Sequence, residues 1–77
     1  QDPSFCEKIR DSGQKDFCFF GVAVSKKDQS VCERIQFQKL EDSCYQAVSK
    51  AIKDLSICGK IQDQNIRDYC YSGSPVH

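Results

Sequence analysis

The six cysteines are the residues of this 77-residue chain with the most distinctive chemistry. Cysteine thiolates can bind zinc, act as nucleophiles or oxidise to disulfides. Structural zinc sites favour cysteine pairs only a few residues apart, whereas successive cysteines here lie at least twelve positions apart. An even number of regularly spaced cysteines in a small chain is typical of a disulfide framework. The pattern therefore predicts three disulfides, no metal site and no reactive thiol, formed by Cys6, Cys18, Cys32, Cys44, Cys58 and Cys70.

Few other side chains are suited to catalysis. The only histidine, His77, lies two residues after Pro75 at the end of the sequence and lacks a rigid support for general-base chemistry. Asp16, Asp42 and Asp68 recur at one interval in the first turns of predicted helices, where carboxylates offset the helix dipole or pair with a neighbouring basic side chain. We therefore expect no enzymatic activity, no catalytic residue and no cofactor.

A repeat of 26 residues positions these side chains. Shifting the chain by that interval superimposes the cysteines in two columns, and aspartate, serine and isoleucine columns also align. A repeat of this kind indicates one supersecondary unit stacked on itself, because a single copy cannot bury its apolar face alone. We expect one domain, residues 1–77, made of units 1–26, 27–52 and 53–77.

Each unit is predicted to fold as a short helix followed by a longer antiparallel helix. In the central unit the apolar residues fall on one helical face: Leu40, Cys44, Ala47, Val48, Ala51 and Ile52. The short helix begins at a motif in which either Asp28 or Ser30 can be the N-cap, with Asp2 or Ser4 equivalent in the first unit. Phe5, Cys6 and Ile9 are expected to share the buried side of that first short helix. No segment alternates like a strand, so we predict an all-α fold.

Helix geometry selects one cysteine pairing. Cys6 lies about one turn before the end of its short helix, and Cys18 lies about one turn into the long helix, so the two face each other. A Cys18–Cys32 bond would instead require an axial offset of roughly 7 Å, more than a disulfide readily spans. The predicted disulfides are therefore Cys6–Cys18, Cys32–Cys44 and Cys58–Cys70.

The repeated motif D-x-S-x-C-x-[KR]-I, followed by D-x-C-[FY], resembles short cysteine-paired helical repeats of predicted exported archaeal and bacterial proteins. It is carried by Asp2, Pro3, Ser4, Cys6, Glu7, Lys8, Ile9, Cys32, Glu33, Arg34, Ile35, Arg67, Asp68, Cys70 and Tyr71. The resemblance implies an exported helical array of unassigned activity. The hairpin arrangement is also similar to tetratricopeptide and Sel1-like repeats, and we expect three hairpins stacked as a short right-handed α-solenoid.

Composition disfavours several partners. Eleven basic and eleven acidic side chains cancel and are interspersed, which argues against nucleic acid and against an anionic membrane surface. No apolar run approaches the roughly 18 residues of a membrane span. A disulfide framework indicates an oxidising compartment, so we expect a secreted, extracellular or cell-surface protein.

The aromatic side chains are the best candidates for binding. Phe19, Tyr45 and Tyr71 follow the second cysteine of each unit, and they either wedge neighbouring hairpins together or form an exposed stripe that binds a peptide or glycan. Among Phe17, Phe20 and Phe37, at least one ring is expected at an exposed interface.

The leading hypothesis is a non-catalytic extracellular or cell-envelope module that binds or scaffolds a protein or peptide partner. The alternatives are end-to-end self-association into a structural assembly and, less favoured, a saposin-like lipid-binding role.

Overall fold

Six helical segments make up the part of the chain described by the computed structural model, residues 3–72. The longer helices are α2 (Ser12–Lys26), α3 (Gln38–Ile52) and α4 (Gln64–Ser72). The shorter segments are α1 (Pro3–Cys6) and the 3₁₀ helices η1 (Gln29–Arg34) and η2 (Leu55–Lys60). No strand occurs among these residues, which confirms the all-α prediction for them. The predicted cap Asp2 and the histidine His77 lie outside the described residues.

A disulfide joins each short helix to the long helix that follows it. The paired Cα atoms are 5.6 Å apart in Cys6–Cys18 and 5.7 Å apart in Cys32–Cys44 and Cys58–Cys70. These are the pairs that the helix geometry predicted, and no cysteine is free. Every disulfide therefore lies within one unit of the repeat.

Aspartate, and not serine, caps the short helices η1 and η2. Asp28 Oδ1 accepts hydrogen bonds from the Ser30 N–H at 3.0 Å and from the Ser30 hydroxyl at 2.7 Å, and Asp54 makes the same pair with Ser56. These bonds hold the pKa of Asp28 and the pKa of Asp54 below their ordinary values. Each bond closes a tight Asx turn, a start suited to the narrow 3₁₀ form.

A lysine in the left-handed conformation ends each of the two complete long helices. Lys27 has φ 55° and Lys53 has φ 58°, and both donate their backbone N–H groups back into the last turn of the helix. The next residue is the aspartate that caps the following short helix, so the chain passes from one unit to the next within two residues.

The long helices α2 and α3 each contact the next unit as well as their own short helix. Helix α2 packs against η1 and α3, and helix α3 packs against η2 and α4. The short helices bury Val31 and Ile57 at these contacts, and the residues that follow these helices, Ile35 and Ile61, are buried too, each no more than 3% exposed. Apolar packing between successive units thus supplies much of the core.

The first short helix is less buried than expected. The equivalents of Phe5 in the later units are the buried Val31 and Ile57, yet Phe5 is 66% exposed and Ile9 is only half-buried. No earlier unit covers this side of α1 in the described chain, so the expectation that Phe5 is buried was wrong.

The disulfides lead to a prediction about stability. Each closes a loop of about 13 residues, worth up to roughly 3 kcal/mol by the chain-entropy model, in a domain whose total stability is expected to be about 5–15 kcal/mol. We expect excess dithiothreitol to lower the thermal midpoint followed by circular dichroism by more than 10 °C or to abolish cooperative unfolding. Oxidised dithiothreitol is the matched control, and an unchanged midpoint in the reduced reagent would contradict the prediction.

Candidate functional site

The predicted aromatic stripe does not form a continuous exposed surface. Phe19 is 2% exposed and Tyr45 is 5% exposed, whereas Tyr71 is 48% exposed. The Arg34 guanidinium of the second unit lies 5.8 Å from the centre of the Phe19 ring. Burial, together with the nearby charges of Glu41 and Glu33, raises the pKa of Tyr45 to about 12. Phe19 and Tyr45 are therefore buried, and Tyr71 is the one member of the predicted stripe that is accessible to a partner.

Two of the recurring aspartates connect neighbouring units through an inter-unit carboxylate contact. The two carboxylate oxygens of Asp16 accept the backbone N–H groups of Gln36 at 3.1 Å and Phe37 at 3.2 Å. Asp42 makes the equivalent contact with the N–H groups of Gln62 and Asp63, both at 3.0 Å. Asp16 is 4% exposed and Asp42 is fully buried.

The role of Asp16 and Asp42 differs from the one predicted from the sequence. Asp16 and Asp42 were expected to offset a helix dipole or to pair with a basic side chain, but neither lies in the first turn of its helix. A buried carboxylate is tolerated only when its charge is met by hydrogen bonds, and backbone N–H groups make strong ones to an ionised acceptor. The contact therefore fixes how each unit lies against the next.

The inter-unit carboxylate contact predicts that Asp42→Asn is strongly destabilising. An asparagine side chain has a single acceptor oxygen, and its NH₂ group would face a backbone N–H that then lacks a partner. We expect a loss of about 1–3 kcal/mol in the free energy of unfolding, measured by urea denaturation of dilute protein.

The matched control is Asp68→Asn, at the third position of the same column, because Asp68 is exposed and makes no such contact in the described chain. Its free energy of unfolding in dilute solution should stay within about 0.5 kcal/mol of the unmodified chain. Equal losses for the two variants would contradict the role assigned to Asp42.

The candidate binding site is a groove between the N-terminal parts of α2 and α3. Its volume is about 510 Å³, within the usual range for ligand pockets. The residues that give it its chemical character are Asp16, Phe17, Phe37, Lys39, Leu40 and Ser43. The rings of Phe17 and Phe37 are 66% and 62% exposed, so the groove presents two large apolar surfaces to solvent.

Phe37 stands where the other units have a helix-capping aspartate. Asp11 Oδ1 accepts the Gln14 N–H at 3.0 Å at the start of α2, and Asp63 Oδ1 accepts the N–H groups of Asn65 and Ile66 at the start of α4. Phe37 occupies the same N-cap position of α3 and makes no side-chain capping bond. The absence of a cap costs a helix about 1 kcal/mol, and an exposed ring gains little by burial in return.

The two rings that line the groove occur at the first junction and have no aromatic counterparts at the second. Where the first junction has Phe17 and Phe37, the second has the half-buried Ser43 and the polar Asp63. The expectation of an exposed ring among Phe17, Phe20 and Phe37 is thus met by two of the three, whereas Phe20 is half-buried. The sequence signal that could have identified Phe37 is its departure from the column formed by Asp11 and Asp63.

The missing cap predicts that Phe37→Asp stabilises the protein. Asp63 shows that an aspartate at this position is compatible with the inter-unit contact, because its own N–H donates to Asp42. We expect a gain of about 1 kcal/mol in the free energy of unfolding. Phe37→Ala removes the ring without supplying a cap and should give no gain. A Phe37→Asp variant that is no more stable than Phe37→Ala would contradict this account.

Comparison with known proteins gives no family for this chain: no protein-family model matches it, and neither do curated proteins or solved structures. Within residues 3–72, no helix combines the length and the apolar character needed to cross a membrane. In that same part of the chain, no three potential ligands among His, Cys, Asp and Glu form a group that could hold a metal ion.

Proposed function

We propose that this chain is a non-catalytic binding module that holds a peptide segment of a protein partner in the groove between α2 and α3. The observation that carries the proposal is Phe37, which exposes an apolar ring and leaves α3 without the side-chain cap found on α2 and α4. Departures from the locally most stable residue are characteristic of binding sites, where stability is exchanged for function.

The groove favours a peptide that places an apolar side chain beside a carboxylate. The rings of Phe17 and Phe37 offer rigid apolar surfaces that bind at low cost in conformational entropy. The Asp16 carboxylate accepts the N–H groups of Gln36 and Phe37, whereas the Lys39 side chain at the rim is exposed and positively charged. Lys39 thus supplies the charge that an acidic side chain of the partner would meet.

The disulfides support the proposal that the chain is a scaffold located outside the reducing cytosol. Three disulfides in a chain of this size support a secreted, extracellular or cell-surface location. The same carboxylate contact at both junctions supports a regular stack of three hairpins, which we propose to be a short right-handed α-solenoid. Such a stack holds the two phenylalanines at a fixed separation.

Selection from a random dodecapeptide phage library, panned on the chain immobilised by a C-terminal tag, tests the proposal. We expect enriched peptides to combine an apolar residue with a neighbouring aspartate or glutamate. The corresponding synthetic peptides should bind Phe17→Ser and Phe37→Asp at least about tenfold more weakly than the unmodified chain. Both substitutions introduce the residue that another unit of the repeat carries at the same position.

The matched control is Leu55→Gln, which removes an exposed apolar side chain outside the groove and installs the residue that the second unit carries there. This variant should bind the selected peptides as the unmodified chain does. The proposal would be contradicted if the library gave no more enriched peptides on the unmodified chain than on a variant carrying both Phe17→Ser and Phe37→Asp. It would also be contradicted if Phe37→Asp bound the selected peptides as tightly as the unmodified chain. Co-sedimentation with phosphatidylcholine vesicles that is lost in Phe37→Asp would point instead to the saposin-like alternative.

A further inference from the structure

We infer that the two ends of the described chain are complementary halves of one junction, and that a second copy of this chain completes it head to tail. The tail face consists of Asp68 and Tyr71 on α4. The head face consists of the side chains of Phe5, Lys8 and Ile9 and the backbone N–H groups of Arg10 and Asp11. This inference is independent of the groove.

The inter-unit carboxylate contact gives the register of the proposed junction. Each buried aspartate binds N–H groups 20 and 21 positions further along the chain, in the next unit. Asp68 is the third member of that aspartate column, and it is exposed and accepts no hydrogen bond from the described residues. In the first unit, Arg10 and Asp11 are the counterparts of Gln36 and Phe37, and their N–H groups make no hydrogen bond within residues 3–72. Among residues 3–72, a carboxylate without donors therefore lies at one end, and two backbone donors without an acceptor lie at the other.

The apolar surfaces of the two ends match in the same register. Phe5 is 66% exposed, whereas its equivalents Val31 and Ile57 are 3% and 1% exposed where they pack under the preceding unit. At the other end, Tyr71 is 48% exposed, whereas its equivalents Phe19 and Tyr45 are 2% and 5% exposed and lie on helices that pack against the following unit. Joining tail to head would bury both surfaces as the internal junctions do.

A cation in the first unit has the position needed to cover Tyr71. At the first internal junction the Arg34 guanidinium lies over the Phe19 ring. The counterpart of Arg34 in the first unit is Lys8, which is exposed. In the head-to-tail arrangement, Lys8 of the second copy takes the place of Arg34 and faces the Tyr71 ring.

These matches identify the occupant of the tail face as another unit of this repeat. An unpartnered apolar face alone would accept many partners, but here the donors, the acceptor and the ring recur at the spacing of both internal junctions, and the cation recurs at the spacing of the first. The contact joins two different surfaces, so it is heterologous, and each added copy presents a new tail face. The expected product is an open chain of copies whose mean length grows with concentration.

Sedimentation velocity over micromolar to millimolar concentrations tests this inference. We expect the unmodified chain to shift from its 8.8 kDa monomer to larger species as concentration rises. Asp68→Asn removes the carboxylate of the tail, and Phe5→Asp places a charge on the head. Each exposed substitution should weaken association at least about tenfold, while circular dichroism of the dilute protein stays unchanged.

A mixing experiment distinguishes head-to-tail contact from any symmetric dimer. Asp68→Asn retains an intact head and Phe5→Asp retains an intact tail, so an equimolar mixture should form one-to-one dimers that neither variant forms alone. A monomer at all concentrations, association unaffected by Asp68→Asn, or a mixture that stays monomeric would overturn the inference. Phe37→Asp keeps both end faces, so loss of peptide binding in that variant leaves self-association unchanged.

Discussion

The hydrogen bonds from paired backbone N–H groups to a buried aspartate are the interaction on which the arrangement of units depends. Each disulfide closes its own unit, and none links one unit to the next. Apolar contacts between units are strong in sum but have no preferred direction. The contacts of Asp16 and Asp42 are directional, and their buried charge makes any other register costly because it would leave the carboxylate without donors. The core supplies the attraction between units, and the carboxylates fix their register.

The same contact determines what the groove can present. Phe37 donates its N–H to Asp16 and so is held at the N-cap of α3 whatever its side chain does. The position is thus fixed by the backbone while its side chain is free to vary. In the third unit the side chain caps the helix, and in the second it forms one wall of the groove. At Phe37, the backbone N–H that joins one unit to the next is thus distinct from the side chain that lines the groove.

The sequence correctly predicted the structural features that depend on residues close together in the chain. The helical period of the central unit and the cysteine spacing led to the long helices and to the pairing Cys32–Cys44, because both depend on residues close together in one unit. The 3₁₀ form of η1 and η2 was not predicted, since six residues are too few to reveal a period. The partners of Asp16 were missed for a different reason. They are two main-chain N–H groups, 20 and 21 positions away, and every residue except proline has such a group, so no residue type marks them in the sequence. The exposure of Phe5 and Tyr71 was not predicted, because a repeat pattern assigns the same environment to equivalent residues in end units and inner units.

The placement of the disulfides also determines how the chain would respond to a pulling force. Each bond joins cysteines 12 positions apart, and the three loops that they close follow one another without overlap. Tension applied at the two ends therefore runs through the sulfur bridges and bypasses the chain between them. Between Cys6 and Cys70, only the segments from one bridge to the next can lengthen, so each unit adds a fixed and limited extension. A longer array with this arrangement would extend under force one unit at a time. Its resistance would rise sharply once the segments between the disulfides were fully extended.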